Sequence, residues 1–115
     1  MSTIQPIIAT TDLDRLLVFY TKVFGAEEVQ RIPDFYIMLR LGDSELGLVA
    51  DVDSARATPK RILLSIEVDS VDRLLGTVES FGGRLLAPPN DMPWGQRVAH
   101  AEDPDGNAVN LTQQI

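Results

Sequence analysis

The chain has no cysteine, which excludes disulfides, thiolate nucleophiles and cysteine-based metal sites. It is short of basic side chains, with 10 Lys and Arg against 17 Asp and Glu and a net charge of −7. The deficit is spread along the chain: residues 1–57 carry five basic and nine acidic groups, residues 58–115 five and eight. Neither half is a basic arm, so the balance argues against nucleic acid and against an anionic membrane as partner. No apolar run reaches the ~18 residues that a membrane span needs. Met1-Ser2-Thr3 shows neither the basic nor the apolar region of a secretory leader, and the expectation is a cytoplasmic protein. Low-complexity sequence is absent. No Ser-His-Asp order, phosphate-cradling glycine loop, HExxH or pair of catalytic carboxylates stands out, and Gly82-Gly83 reads as a helix stop.

What is present is a repeat. Asp-Leu-Asp-Arg-Leu-Leu at Asp12–Leu17 returns as Ser-Val-Asp-Arg-Leu-Leu at Ser70–Leu75, with Asp14 and Asp72 58 residues apart. Each copy leads into an apolar-periodic stretch that closes on Phe-Gly, at Phe24-Gly25 and Phe81-Gly82. At 115 residues and 44% apolar content, the chain has one ordinary domain's worth of core. The repeats therefore read as two halves of one fold, with a groove expected between them.

Ile4–Ala9 reads as a strand. Thr10, Thr11 and Asp12 offer N-caps, and Leu13, Leu16, Leu17, Tyr20, Val23 and Phe24 make one apolar helix face. Gly25 is the expected stop. Strands follow at Ala26–Arg31, Phe35–Leu41 and Leu46–Ala50, with turns at Pro33-Asp34 and Gly42-Asp43-Ser44. Residues 51–60 read as a linker. The second half repeats the order: strand Arg61–Val68, a helix from Val71 to Phe81 capped by Asp69-Ser70, and strand Arg84–Ala87. A loop at Pro88–Gly95 then precedes strands Gln96–Ala101 and Ala108–Thr112, which flank the turn Asp103–Asn107. Each half is thus a βαβββ module, in an α+β fold.

The opening Asp12-Leu13-Asp14-Arg15, the helix with Phe19-Tyr20, the stop Val23-Phe24-Gly25 and the closing Glu102-Asp103-Pro104-Asp105-Gly106-Asn107 carry a resemblance. Together they resemble the vicinal oxygen chelate superfamily, which includes glyoxalases, extradiol dioxygenases, fosfomycin-resistance proteins and bleomycin-binding proteins. The resemblance spans nearly the whole chain. It implies a single domain over residues 1–115, with modules at about 3–50 and 61–113 whose sheets curl around a shared cavity, helices outside.

Metal-dependent members of that superfamily place His, Gln or Glu on the cavity face of four strands. The resemblance carries those places onto Gln5, Gly47, Leu63 and Asn110. A divalent metal favours imidazole and carboxylate donors. Gly47 and Leu63 have no side-chain donor, Gln5 and Asn110 are neutral, and the one imidazole, His100, lies on another strand. Glu45, two residues from Gly47, shares its strand face and is the nearest substitute. The expectation is that no metal and no cofactor is held.

Alternation along Phe35–Leu41 sets Phe35, Ile37, Leu39 and Leu41 on the helix-packed face and Tyr36, Met38 and Arg40 on the other. In the last hairpin Val109 and Leu111 turn to the helix, leaving Ala108, Asn110 and Thr112 opposite. By the superfamily register Gln5, Ile7, Val49, Leu63, Val98 and His100 also face the cavity, and Trp94 in the Pro-rich loop can act as a lid or as a loop anchor. The lining is apolar with a few polar groups, the composition of a small-molecule pocket. Arg40 can grip an anion through its planar fork or pair with Glu45 across the hairpin. His100 can be a base, a ligand contact or a structural group.

These features favour a metal-free protein that binds a small molecule, hydrophobic or aromatic, in the manner of bleomycin-resistance members. The alternatives are a glyoxalase-like lyase, isomerase or dioxygenase with an atypical metal site, and a structural module with a packed interior. A homodimer is expected, since superfamily members commonly cover their sheet edges and apolar rims by pairing two chains.

Overall fold

A computed structural model describes residues 5–50 and 63–115. The chain divides into two compact units, Met1–Pro59 and Lys60–Ile115. The expected linker at 51–60, the opening residue Ile4 and the start of the fifth strand at Arg61 lie outside the described residues.

In the first unit, β1 (Ile7–Thr10), α1 (Leu13–Phe24), β2 (Glu27–Ile32), β3 (Tyr36–Leu41) and β4 (Ser44–Ala50) follow in turn. The sheet order is β1-β4-β3-β2, with β1 parallel to β4 and the other pairs antiparallel. The helix begins at Asp12, whose carboxylate accepts from the Arg15 amide at 3.1 Å, satisfying a donor that the first turn leaves open. It ends at Gly25, where φ is 74°, a left-handed conformation that costs a residue without Cβ little. Leu16, Phe19, Tyr20 and Val23 are buried on its inner face, as are Ile37, Leu39, Leu46 and Leu48 of the sheet. Full burial of such side chains is worth about 1.5–3 kcal/mol each, so this face holds the unit together.

Phe35 departs from the expected core set: it is 53% exposed. It belongs to the turn before β3, where its amide donates to the Ile32 carbonyl and its carbonyl accepts from the Ala50 amide. Strand parity begins only at Tyr36. Beside it Asp34 takes a positive φ of 61°, which Asp tolerates better than most residues.

The second unit contains β5 (Leu63–Glu67), α2 (Val71–Ser80), β6 (Arg84–Leu85), β7 (Asn90–Met92), β8 (Gln96–Glu102) and β9 (Ala108–Gln114). Its order is β5-β9-β8-β6, with β7 also on β8 and β5 parallel to β9. The expected loop at Pro88–Gly95 therefore contains a strand, and the strand expected at Arg84–Ala87 stops at Leu85. Both follow from Pro88-Pro89. The register on β8 passes from Leu85↔Ala101 to Asn90↔Val98, five residues against three. One edge strand is thus broken by prolines that cannot donate to the ladder, a place where proline is tolerated.

Ser70 caps α2 by accepting from the Arg73 amide, and Gln113 Oε1 reaches from β9 to accept from the Val71 amide at 2.9 Å. Arg97, on the helix side of β8, donates Nε and Nη2 to the Asp72 carboxylate, both at 3.1 Å, and Nη1 to Asp91 at 2.9 Å. These two contacts tie α2 and β7 to the middle of the sheet. The core of this unit is built of Val71, Val78, Ala99, Ala101, Val109 and Leu111. Leu74 and Leu75, expected beside Val78, are half-buried. The closing turn is fixed by buried Asp103, which accepts from the amides of Asp105 and Asn107 and from the Asn107 side chain.

Candidate functional site

Each sheet packs one face against its helix, and its free face turns away from that helix; on the second sheet Val98 and Thr112 of the free face are nevertheless buried. In the first unit the register aligns Ile7, Gly47, Met38 and Gln30 in one row of the free face and Ala9, Val49, Tyr36 and Ile32 in the next. Tyr36, Met38 and Arg40 thus share that face, as strand parity predicts, and Ile7 and Val49 share it as the superfamily register implies. Ile7 is 57% exposed, whereas Leu48, one step along β4 from Gly47, is fully buried.

The row through Gly47 has a specific geometry. The Tyr36 ring leans across it: a Cβ built on Gly47 would stand 2.5 Å from the phenolic oxygen and 3.1 Å from Cε1 and Cζ. Absence of a side chain at 47 is what admits the ring. That ring also explains why Gly47 is buried although its row faces away from the helix. Gln5 Nε2 donates to the phenolic oxygen at 2.9 Å, which leaves the phenol's own O–H as a donor.

Arg40 lies directly opposite both Glu45 and Glu27. Neither carboxylate forms an ion pair with it among the described residues, so the cross-hairpin bridge to Glu45 is not made here. Its exposed guanidinium is flanked by two acids, which weakens its field toward an anion.

In the second unit the free-face rows are Leu63, Ala108, Glu102 and Arg84; Ser65, Asn110 and His100; and Glu67, Thr112, Val98 and Asn90. His100 Nδ1 lies 2.8 Å from Asn110 Oδ1. Glu102 pairs with Arg84 at 2.5 Å, and Glu67 accepts from Gln114 at 3.2 Å. Leu63 is 52% exposed and Val98 is buried. Trp94 sits in the β7–β8 turn, 68% exposed, with its indole N–H donating to Gln96 Oε1 at 2.9 Å. Ser65 and Glu102 also lie on this face. Sequence reading passed over them, although the parity that selects Leu63 and His100 selects them too.

The four places that the superfamily resemblance assigns to metal ligands do not make a divalent-metal donor set. Gly47 has no donor and its space holds a phenol. The Gln5 amide is engaged with that phenol, Leu63 is aliphatic, and the Asn110 carbonyl is engaged with His100. Among the described residues no group of three or more His, Asp or Glu is arranged to hold an ion.

The groups with shifted proton affinity lie away from the free faces. The Glu28 carboxyl is held below its usual 4.5 chiefly by its hydrogen bonds from Arg31. Arg97 holds its proton more tightly than usual because Asp72, then Asp91, accept from it.

The sequence model of the Glyoxalase/Bleomycin resistance protein/Dioxygenase superfamily matches residues 3–111. No curated protein matches the chain. Among solved structures, a glyoxalase/bleomycin resistance protein/dioxygenase family enzyme from Burkholderia phytofirmans PsJN is similar at 24% identity and TM-score 0.85, over 96% of this chain and 97% of that one. The fosfomycin resistance protein FosX from Mesorhizobium loti is similar at 19% identity and TM-score 0.77, over 99% and 92%. A lactoylglutathione lyase from Agrobacterium tumefaciens is similar at 22% identity and TM-score 0.72, over 97% and 92%. At these identities the likeness is one of fold.

Proposed function

The chain belongs to the Glyoxalase/Bleomycin resistance protein/Dioxygenase superfamily, and from that premise we propose that it binds a small organic molecule without a metal ion. The observation that carries the proposal is the Tyr36 phenol seated over Gly47 and hydrogen-bonded to Gln5. Two of the four places that would supply metal ligands instead support an aromatic ring. The free face of the first sheet offers exposed Ile7 with Met38 and Val49 near it and polar groups at the Tyr36 O–H and Arg40, and that of the second offers exposed Leu63 and the His100 imidazole. Apolar walls supply affinity and sparse polar groups orient the ligand. Glu27 and Glu45 opposite Arg40 favour a neutral or cationic ligand over an anion on the free face of the first sheet. The alternative, a lyase or dioxygenase with an atypical metal site, would have to recruit Glu45, among the described residues the one carboxylate beside Gly47 on that face.

The test is a titration of ¹⁵N-labelled protein with neutral and cationic aromatic fragments. Perturbed amides should map to a free face, that of Tyr36, Met38 and Val49 or that of Val98, His100 and Asn110. Perturbation confined to the helices, or none across the panel, would defeat the proposal.

A further inference from the structure

Resting on that ligand-binding reading, we infer that His100 accepts a hydrogen bond from the ligand through Nε2, and that Asn110 is the positioning residue that sets it to do so. His100 and Asn110 are directly opposite on β8 and β9. The 2.8 Å contact joins Nδ1 to the amide oxygen. A carbonyl oxygen only accepts, so Nδ1 carries the proton. A neutral imidazole has one N–H, and its other nitrogen is an acceptor. Nε2 therefore keeps its lone pair, and among the described residues nothing donates to it. Neutral imidazole in water favours the opposite tautomer, so the amide of Asn110 is what selects this one.

The surroundings define the ligand class. Leu63 and Ala108 lie in the row on one side of the pair, Thr112 and Val98 in the row on the other, and Ser65 continues the pair's own row. The acceptor nitrogen thus has mixed neighbours, apolar at Leu63, Ala108 and Val98 and polar at Ser65, Thr112 and Glu102. The acids of this face are both occupied, Glu102 by Arg84 and Glu67 by Gln114. Arg84 is the one basic side chain in these rows, and it is paired. Among the described residues of these rows an anionic ligand would find carboxylates and no unpaired cation. The fitting ligand is an apolar or aromatic body bearing one O–H or N–H donor, such as a phenol.

His100 is the one histidine of the chain, so a long-range ¹H–¹⁵N spectrum of the imidazole has a single assignment. At mildly alkaline pH the protein should show protonated Nδ1 and bare Nε2. Asn110→Leu should move the population toward Nε2–H, while Asn110→Asp, which keeps an acceptor oxygen, should retain Nδ1–H. A purely structural contact would not predict a response at Nε2 to added phenol. Phenol should shift Nε2 and bind about threefold to tenfold more tightly than anisole, the worth of one net neutral hydrogen bond.

An Nε2–H tautomer in the unaltered protein overturns the inference and leaves ligand binding standing. So does equal binding of phenol and anisole with Nε2 unmoved. If neither compound perturbs either free face, the ligand-binding reading fails, and the acceptor role fails with it.

Discussion

Substituting Gly47 by Ala tests whether the Tyr36 ring rests on bare backbone. The new Cβ would stand 2.5 Å from the phenolic oxygen and 3.1 Å from two ring carbons, so the ring must move. It is half-exposed and can swing toward solvent. Doing so forfeits the hydrogen bond from Gln5, a net 0.5–1.5 kcal/mol or so, and uncovers ring and strand surface worth roughly 0.5–1 kcal/mol. Against this, alanine in a strand is favoured over glycine by about 0.5–1 kcal/mol. The expected outcome is a net loss centred on about 1 kcal/mol, within a range of about 0–2 kcal/mol. In a Tyr36→Val background the obstacle is gone, and the same Gly47→Ala change should stabilise by about 0.5–1 kcal/mol. The sign therefore inverts between backgrounds. Urea unfolding of the four proteins, with midpoints compared at constant slope, measures the coupling. If Gly47→Ala stabilises both backgrounds equally, the ring is not seated on Gly47 and the account of the first free face is wrong.

Three further outcomes are expected. Arg97→Met, which removes the contacts to both Asp72 and Asp91, should lower the melting temperature more than Arg84→Met, which removes one contact to Glu102; equal effects would show that Arg97 does not clamp α2. Glu28 has a depressed folded-state affinity for protons because Arg31 donates to it, so its contribution is complete above about pH 4.5 and is lost as pH falls below that. The stability difference between Glu28→Gln and the parent should accordingly shrink on acidification, and a difference that does not vary with pH would contradict the assignment. The chain should sediment as a homodimer, with edge strand β2 exposed along all six of its residues as one surface open to pairing; a species of 12.7 kDa at tens of micromolar would rule this out.

Much of the fold was legible because local signals and tertiary packing agree. The Asp12 and Ser70 caps, the Gly25 stop and the alternation from Tyr36 to Leu41 each name their own conformation. The exceptions lie where neighbours decide. Phe35 continues the apolar alternation, yet it belongs to a turn. The Pro88-Pro89 segment reads as loop because proline breaks an edge strand, and only pairing with β8 shows that the strand resumes at Asn90. Parity placed Arg40, His100 and Asn110 on the free faces. It could not show the Tyr36 ring over Gly47 or the hydrogen bond between His100 and Asn110, because both contacts cross between strands and depend on register and rotamer. Composition at Gly47 and Leu63 motivates the proposal of a metal-free site, and the phenol seated over Gly47 is the observation that supports it.

Native mass spectrometry of untagged protein tests the central claim most directly, since one spectrum reads metal and organic adducts together. The account predicts a protein free of transition metal, unchanged in mass by chelator, that gains the mass of an added aromatic fragment. A stoichiometric metal adduct, removed by chelator and lost in Gln5→Ala, would contradict it.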